Sequence, residues 1–125
     1  MHSRNNSVLI IDDDSLHLTI YTWILAREGY QCRTALVGST SVKLPVDEAI
    51  DVVLLDYRLN SSLKAVDVAE QVKNAFPSAP IVVLSELPWM PHDIATHAAA
   101  FVNKGEPKRL IETIAGVLHR RPSVA

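Results

Sequence analysis

Five short apolar stretches rich in β-branched residues recur along the chain: Val8 to Ile11, Gln31 to Ala35, Val52 to Leu55, Ile81 to Leu84 and Ala100 to Val102. Each predicts a strand. Three of them are unbroken apolar runs, which is what strands covered on both faces require, so the sheet should be parallel with helices on each side. Between the strands, Ser15 to Glu28 sets Leu16, Ile20, Trp23, Ile24 and Arg27 at helical spacing and stops at Gly29. On this reading Trp23 is a core residue. Val66 to Phe76 repeats the helical pattern and ends at Pro77. Lys108 to His119 aligns Leu110, Ile111, Ile114, Val117 and Leu118 in one stripe behind Pro107. Two connections are weaker. Gly38 and Pro45 make any helix over Ser39 to Ile50 short or broken, and Pro88-Trp89-Met90-Pro91 delays the next one to about Pro91 to Ala99. Trp89 and Met90, between two prolines, suit a contact surface or packing over the sheet end equally well.

This alternation predicts an α/β fold: a (βα)5 doubly wound three-layer sandwich of the flavodoxin-like kind, with a five-stranded parallel sheet in the order 2-1-3-4-5. A core from about residue 8 to 119 fills a single domain of 125 residues, with 1–6 and 122–125 as tails. That length buries roughly two-thirds of the unfolded surface without metal or disulfide staples. The longest apolar runs fall far short of the ~20 residues that span a bilayer, and Met1 to Ser7 is polar, so a soluble cytoplasmic protein is expected. Cys32 is the one cysteine, which excludes an internal disulfide and clustered thiolate metal sites and leaves core packing as its role. Twelve Lys+Arg stand against fourteen Asp+Glu, and Arg120-Arg121 is too short to track a phosphate backbone, so no direct nucleic-acid binding is expected.

In an open parallel sheet, ligands bind beyond the carboxyl ends of the strands. Here the first strand runs into Asp12-Asp13-Asp14, the third into Asp56, the fourth into Ser85 and the fifth into Asn103-Lys104. One helix cap at Asp14 or Ser15 does not need three carboxylates. Packing Asp12 and Asp13 beside Asp56 costs electrostatic free energy unless a cation sits among them, and hard oxygen ligands suit Mg²⁺. His17, His92, His97 and His119 are scattered and fit no metal spacing, with His17 read as a surface residue of the first helix.

Together, VLIIDDD at Val8 to Asp14, DVVLLDYRLN at Asp51 to Asn60, PIVVLS at Pro80 to Ser85 and AAAFVNKG at Ala98 to Gly105 resemble the receiver domains of response regulators. The similarity is to the single-domain receivers of bacterial chemotaxis and runs from Val8 to about His119. It implies that Asp56 accepts a phosphoryl group from a histidine kinase or phosphotransfer protein. Asp12 and Asp13 match the acidic pair that holds Mg²⁺, with Asp56 and the backbone carbonyl of Arg58 completing the ligands. Ser85 matches the hydroxyl that bonds the phosphoryl group, Lys104 the lysine that pairs with it, and Phe101 the aromatic switch. Arg58, Glu86 and Leu87 are expected to modulate access and rate. The output would be a surface change read by an unknown protein target, or a phosphorylation-dependent dimer.

Several positions depart from the family pattern. Leu59-Asn60 and Lys64-Ala65 stand where Met-Pro and Asp-Gly are usual, with about one residue inserted. Glu86 replaces a small residue, Gly105 replaces a proline after Lys104, and the interval from Ser85 to Lys104 is a few residues short. Three other readings stand beside the first: a pseudo-receiver that signals through protein contacts without phosphorylation, a receiver fragment of a longer regulator, and a phosphatase of the haloacid-dehalogenase type. The last would need a further acidic pair after Lys104, where only Glu106 and Glu112 follow.

Overall fold

A computed structural model describes residues 6–120. The tail 122–125 and all but the last residue of the tail 1–6 lie outside the described residues. The elements run β1 (Ser7–Asp12), α1 (Ser15–Ala26), β2 (Gln31–Leu36), β3 (Val52–Asp56), α2 (Ala65–Ala75), β4 (Ile81–Ser85), β5 (Ala100–Asn103) and α3 (Pro107–His119), with one 3₁₀ turn at His92–Ile94. All strand pairs are parallel and the order is β2-β1-β3-β4-β5, as the sequence pattern predicts.

Successive strand residues point to opposite faces, so an unbroken apolar run must feed two cores. Leu9, Ile11, Val53, Leu55, Ile81 and Val83 pack with α2 through Val68, Ala69 and Val72. Val8, Ile10, Val52, Leu54 and Val82 pack on the other face with Leu18 and Leu25 of α1 and Leu110, Ile114 and Val117 of α3. Cys32 is half-buried against this second core.

The five predicted helices are reduced. No helix forms between β2 and β3, where Val37 and Val42 instead make an isolated bridge and Val42, Leu44 and Ile50 pack over the α2 face. A side chain at Gly38 would meet the Ser41 carbonyl at 3.2 Å, and Pro45 has no N–H to give a helix. The helix expected over Pro91 to Ala99 shrinks to the single 3₁₀ turn, which still buries Ile94 completely. Met90 packs on the core while Trp89 is 66% exposed.

The stripe assigned to α1 is also wrong. Leu16 and Trp23 are each 62% exposed and Ile20 is 43% exposed, whereas Leu18 and Leu25 are buried. The helix starts at Asp14, whose carboxylate accepts the Leu16 N–H at 2.9 Å, and this start turns the Leu18–Tyr21–Leu25 face to the sheet. Trp23 lies outside, under the Arg27 guanidinium at 4.7 Å. Leu25→Ala should therefore cost about 2–5 kcal/mol, and Trp23→Ala under about 1 kcal/mol. Urea titration of both variants checks this, and comparable losses would contradict the assigned face.

Candidate functional site

Among the described residues, the buried polar side chains are Asp12, Asp56 and Ser85, at 1%, 2% and 2% exposure. Each ends a strand: β1, β3 and β4. Because β1, β3 and β4 are parallel neighbours, with Ile11 paired to Leu55 and Asp56 to Leu84, these ends share one edge of the sheet. Polar groups are buried at a cost unless they find partners. The loops around them and the first turn of α1 line a cleft of about 470 Å³ at this edge with Asp13, His17, Arg58, Asn60, Glu86 and Lys104, of which Lys104 and the Arg58 N–H partner Asp56.

Lys104 Nζ stands 2.8 Å from Asp56 Oδ1. It gets there because its backbone N–H extends the β4–β5 pairing to the Ser85 carbonyl at 2.8 Å, and Gly105 then turns the chain at φ +87°, a conformation that favours glycine. Burial on its own would lower the Lys104 pKa, but the hydrogen bond to Asp56 and its charge outweigh that and hold the ammonium above the ordinary lysine value. The Arg58 N–H also points to Asp56 Oδ1, at 3.4 Å.

Asp12 Oδ1 accepts the Asp14 N–H at 3.1 Å, whereas Oδ2 is shielded from water and has no hydrogen bond. Burial, then the charge of Asp56, and then the adjacent Asp13 carboxyl push the Asp12 pKa up to about 7. Asp13 Oδ2 accepts the Asn60 N–H at 2.7 Å, tying the loop after β3 to the rim. Ser85 Oγ accepts the Leu87 N–H at 3.0 Å, which leaves its own proton free to donate. Asn103 Nδ2 donates to the Leu87 carbonyl at 2.8 Å and pins the same loop from β5. Glu86 is 62% exposed at the cleft mouth, its Oε1 3.9 Å from Arg58 Nη1.

Of the residues singled out from sequence, Asp12, Asp13, Asp56, Ser85, Arg58, Glu86 and Lys104 come together at this edge. Leu87 lines an adjoining cleft of about 290 Å³ with Tyr57, Arg58 and Leu59. Phe101 is half-buried on β5 opposite Val83 and lines neither cleft. His17 is a correction: it turns into the cleft, with Nδ1 3.4 Å from Asp12 Oδ2, and is not simply a surface residue. Tyr21, one turn on, meets it edge to face at 6.4 Å between ring centroids. Neither was singled out from sequence as a site residue, although the cap at Asp14 held the signal. A residue three past a cap at a strand end returns over that end.

The family model described as "Response regulator receiver domain" matches residues 8–115. The chain belongs to this receiver family. Among curated proteins it is 30% identical over 81 residues to the alkaline phosphatase synthesis transcriptional regulatory protein PhoP of Bacillus subtilis, covering 65% of this chain and 33% of that protein. It is 26% identical over 85 residues to the transcriptional regulatory protein ZraR of Klebsiella oxytoca, covering 68% of this chain and 19% of that one. The receiver thus spans a third or less of these relatives' lengths. In fold it is similar to the signal receiver domain of an HD domain-containing protein from Pseudomonas fluorescens, with a TM-score of 0.78 at 16% identity over 97% of this chain and 92% of that one. It is also similar to the response regulator TrrA of Thermotoga maritima in complex with Mg²⁺ and BeF, with a TM-score of 0.74 at 21% identity over 90% and 98%.

The buried acid of this receiver makes stability depend on pH. Folded Asp12 keeps its proton up to about pH 7, whereas the unfolded chain releases it near the usual 3.8. Between those values the folded state binds more protons, so stability falls as pH rises through that window. Lys104 stays charged throughout it and adds no slope. In chelator-treated protein the melting temperature should drop from about pH 5 to about pH 7.5, and Asp12→Asn should flatten the curve. A slope of the same size in the variant would assign it to another group.

Proposed function

We propose that this receiver accepts a phosphoryl group on Asp56 from a histidine kinase or phosphotransfer protein, and that the modified rim is read by a protein target in the cytoplasm. The observation that carries the reading is the Lys104 ammonium held 2.8 Å from a carboxylate that is 2% exposed at the end of a central strand. An Asp56 oxygen would attack the phosphorus of the donor's phosphohistidine. The new O–P bond forms as the N–P bond breaks, and the imidazole nitrogen leaves with the electron pair. Lys104 sits where its ammonium can follow the charge from the carboxylate to the phosphoryl oxygens, and the Ser85 hydroxyl, its lone pair engaged by the Leu87 N–H, retains a proton to donate to them.

A hard divalent cation suits the donor set. Asp12 Oδ2 is buried without a hydrogen bond, and a carboxyl pushed up by burial and then by the charge of Asp56 gains by binding a cation. Asp12, Asp13, Asp56 and the Arg58 carbonyl would hold Mg²⁺, which when bound supplies charge neutralisation for the incoming phosphoryl group. The loop after β4 and the Phe101 ring would then carry the change to the surface or to a phosphorylation-dependent dimer contact.

Incubating the receiver with Mg²⁺ and a small phosphodonor, or with a phosphorylated phosphotransfer protein, should add one phosphoryl group by intact mass, mapped to Asp56. Asp56→Asn should abolish it. A label on Asp12 would favour the phosphatase reading, and no label from either donor would favour a pseudo-receiver.

Glu86 tunes access in this reading. Its carboxylate faces a small anionic donor at the mouth, but its exposure and its Arg58 partner limit the repulsion to that of a surface charge, about 0.5–1.4 kcal/mol. Glu86→Ala should speed small-donor phosphorylation by roughly two- to tenfold and alter transfer from a protein donor less, since protein contacts elsewhere offset the charge. Equal rates for variant and wild type with the small donor would show that Glu86 serves surface recognition only.

A further inference from the structure

The His17 ring occupies a specific place over the end of β1. Nδ1 is shielded from water, makes no hydrogen bond, and faces the equally shielded Asp12 Oδ2 at 3.4 Å. Two buried polar atoms that face each other without a well-formed bond leave both desolvated, a cost that a third atom bound between them would remove. Asp12 is 1% exposed, so that unpartnered oxygen points into protein and not into bulk solvent. A ligand atom from each of Asp12, His17 and Asp56 lies within 4.8 Å of the others. Ligands about 2.1 Å from one ion sit about 3–4 Å apart, so the group needs to contract only slightly around a cation. Asp56 can take part because Lys104 occupies only its Oδ1.

The other side of the ring is held as well. Asp14 caps α1 with Oδ1 and leaves Oδ2 at 3.7 Å from His17 Nε2. A cation bound at Asp12 Oδ2 would take the Nδ1 lone pair and leave the ring proton on Nε2, the side that faces Asp14, the arrangement that orients metal-binding histidines in general. Tyr21 flanks the ring from the next turn.

We infer that His17 Nδ1 is a ligand to the divalent cation of this rim, and that the receiver therefore favours a first-row transition ion such as Mn²⁺ or Co²⁺ over Mg²⁺. The inference rests on the reading that the rim holds a cation, and adds a nitrogen to what would otherwise be an all-oxygen set. Imidazole binds these ions much better than it binds Mg²⁺, so one nitrogen ligand shifts the preference without changing the carboxylates.

The test uses the untagged receiver, titrated with Mg²⁺, Mn²⁺ and Co²⁺ by calorimetry, with pulsed electron paramagnetic resonance on bound Mn²⁺. The wild type should show modulation from a directly bonded nitrogen, and His17→Ala and His17→Gln should lose it. Both variants should weaken Mn²⁺ and Co²⁺ by about tenfold or more and leave Mg²⁺ within about threefold, while melting with chelator present confirms that they fold. Bound Mn²⁺ without nitrogen modulation, or an equal loss for all three ions, overturns the role of His17 and leaves the Mg²⁺ reading standing. No binding of any of the ions to the wild type overturns both.

Discussion

A carboxylate that is 2% exposed at the end of a central strand needs a counter-charge, and in this receiver the ammonium of Lys104 supplies it to Asp56. That contact sets the requirements for much of the rim. Lys104 must follow β5 directly, β5 must lie beside β4, and the chain must turn sharply after the lysine, which Gly105 does at φ +87°. The second buried carboxyl, on Asp12, has no such ammonium, and its pKa is pushed up first by burial and then by the charge of Asp56. The site is thus poised between too much negative charge around Asp12 and adequate positive charge at Asp56, a condition that a bound cation changes directly.

The sheet carries this arrangement because it is buried on both faces. Alternate residues of β1, β3 and β4 feed one core with α2 and another with α1 and α3, so the strand ends cannot shift independently. Where a helix is missing, between β2 and β3 and again between β4 and β5, loops take over the packing on the α2 face, one of them after β4 at the rim. The adjoining cleft beside Tyr57 and Leu87 lies there, bridged by a hydrogen bond from the Tyr57 hydroxyl to Asp93 at 2.9 Å. The loop after β3 is tied down: the Asn60 N–H bonds to Asp13, and the Ser62 N–H bonds to the Ser39 carbonyl at 2.9 Å.

Much of this was determined by the sequence alone. Unbroken apolar runs rich in β-branched residues, such as Val52 to Leu55 and Ile81 to Leu84, fit strands covered on both faces, hence a parallel sheet, which is the sheet observed. The polar residue that ends each run, Asp12, Asp56 or Ser85, is placed at the carboxyl edge by the same argument. Those inferences depend on periodicities that local geometry enforces.

What only the tertiary structure decided were the choices that local pattern leaves balanced. Helical spacing in α1 allowed two apolar stripes, and the cap at Asp14 together with the sheet below selected Leu18 and Leu25 over Leu16 and Trp23. The helix before β5 dwindled to one turn because Pro88 and Pro91 bracket its approach and a short interval must still reach the sheet. His17 reads as surface in sequence because a lone histidine matches no metal-ligand spacing along the chain. Its partner, Asp12, lies on a different element, and the distance between them is set by how α1 packs on β1.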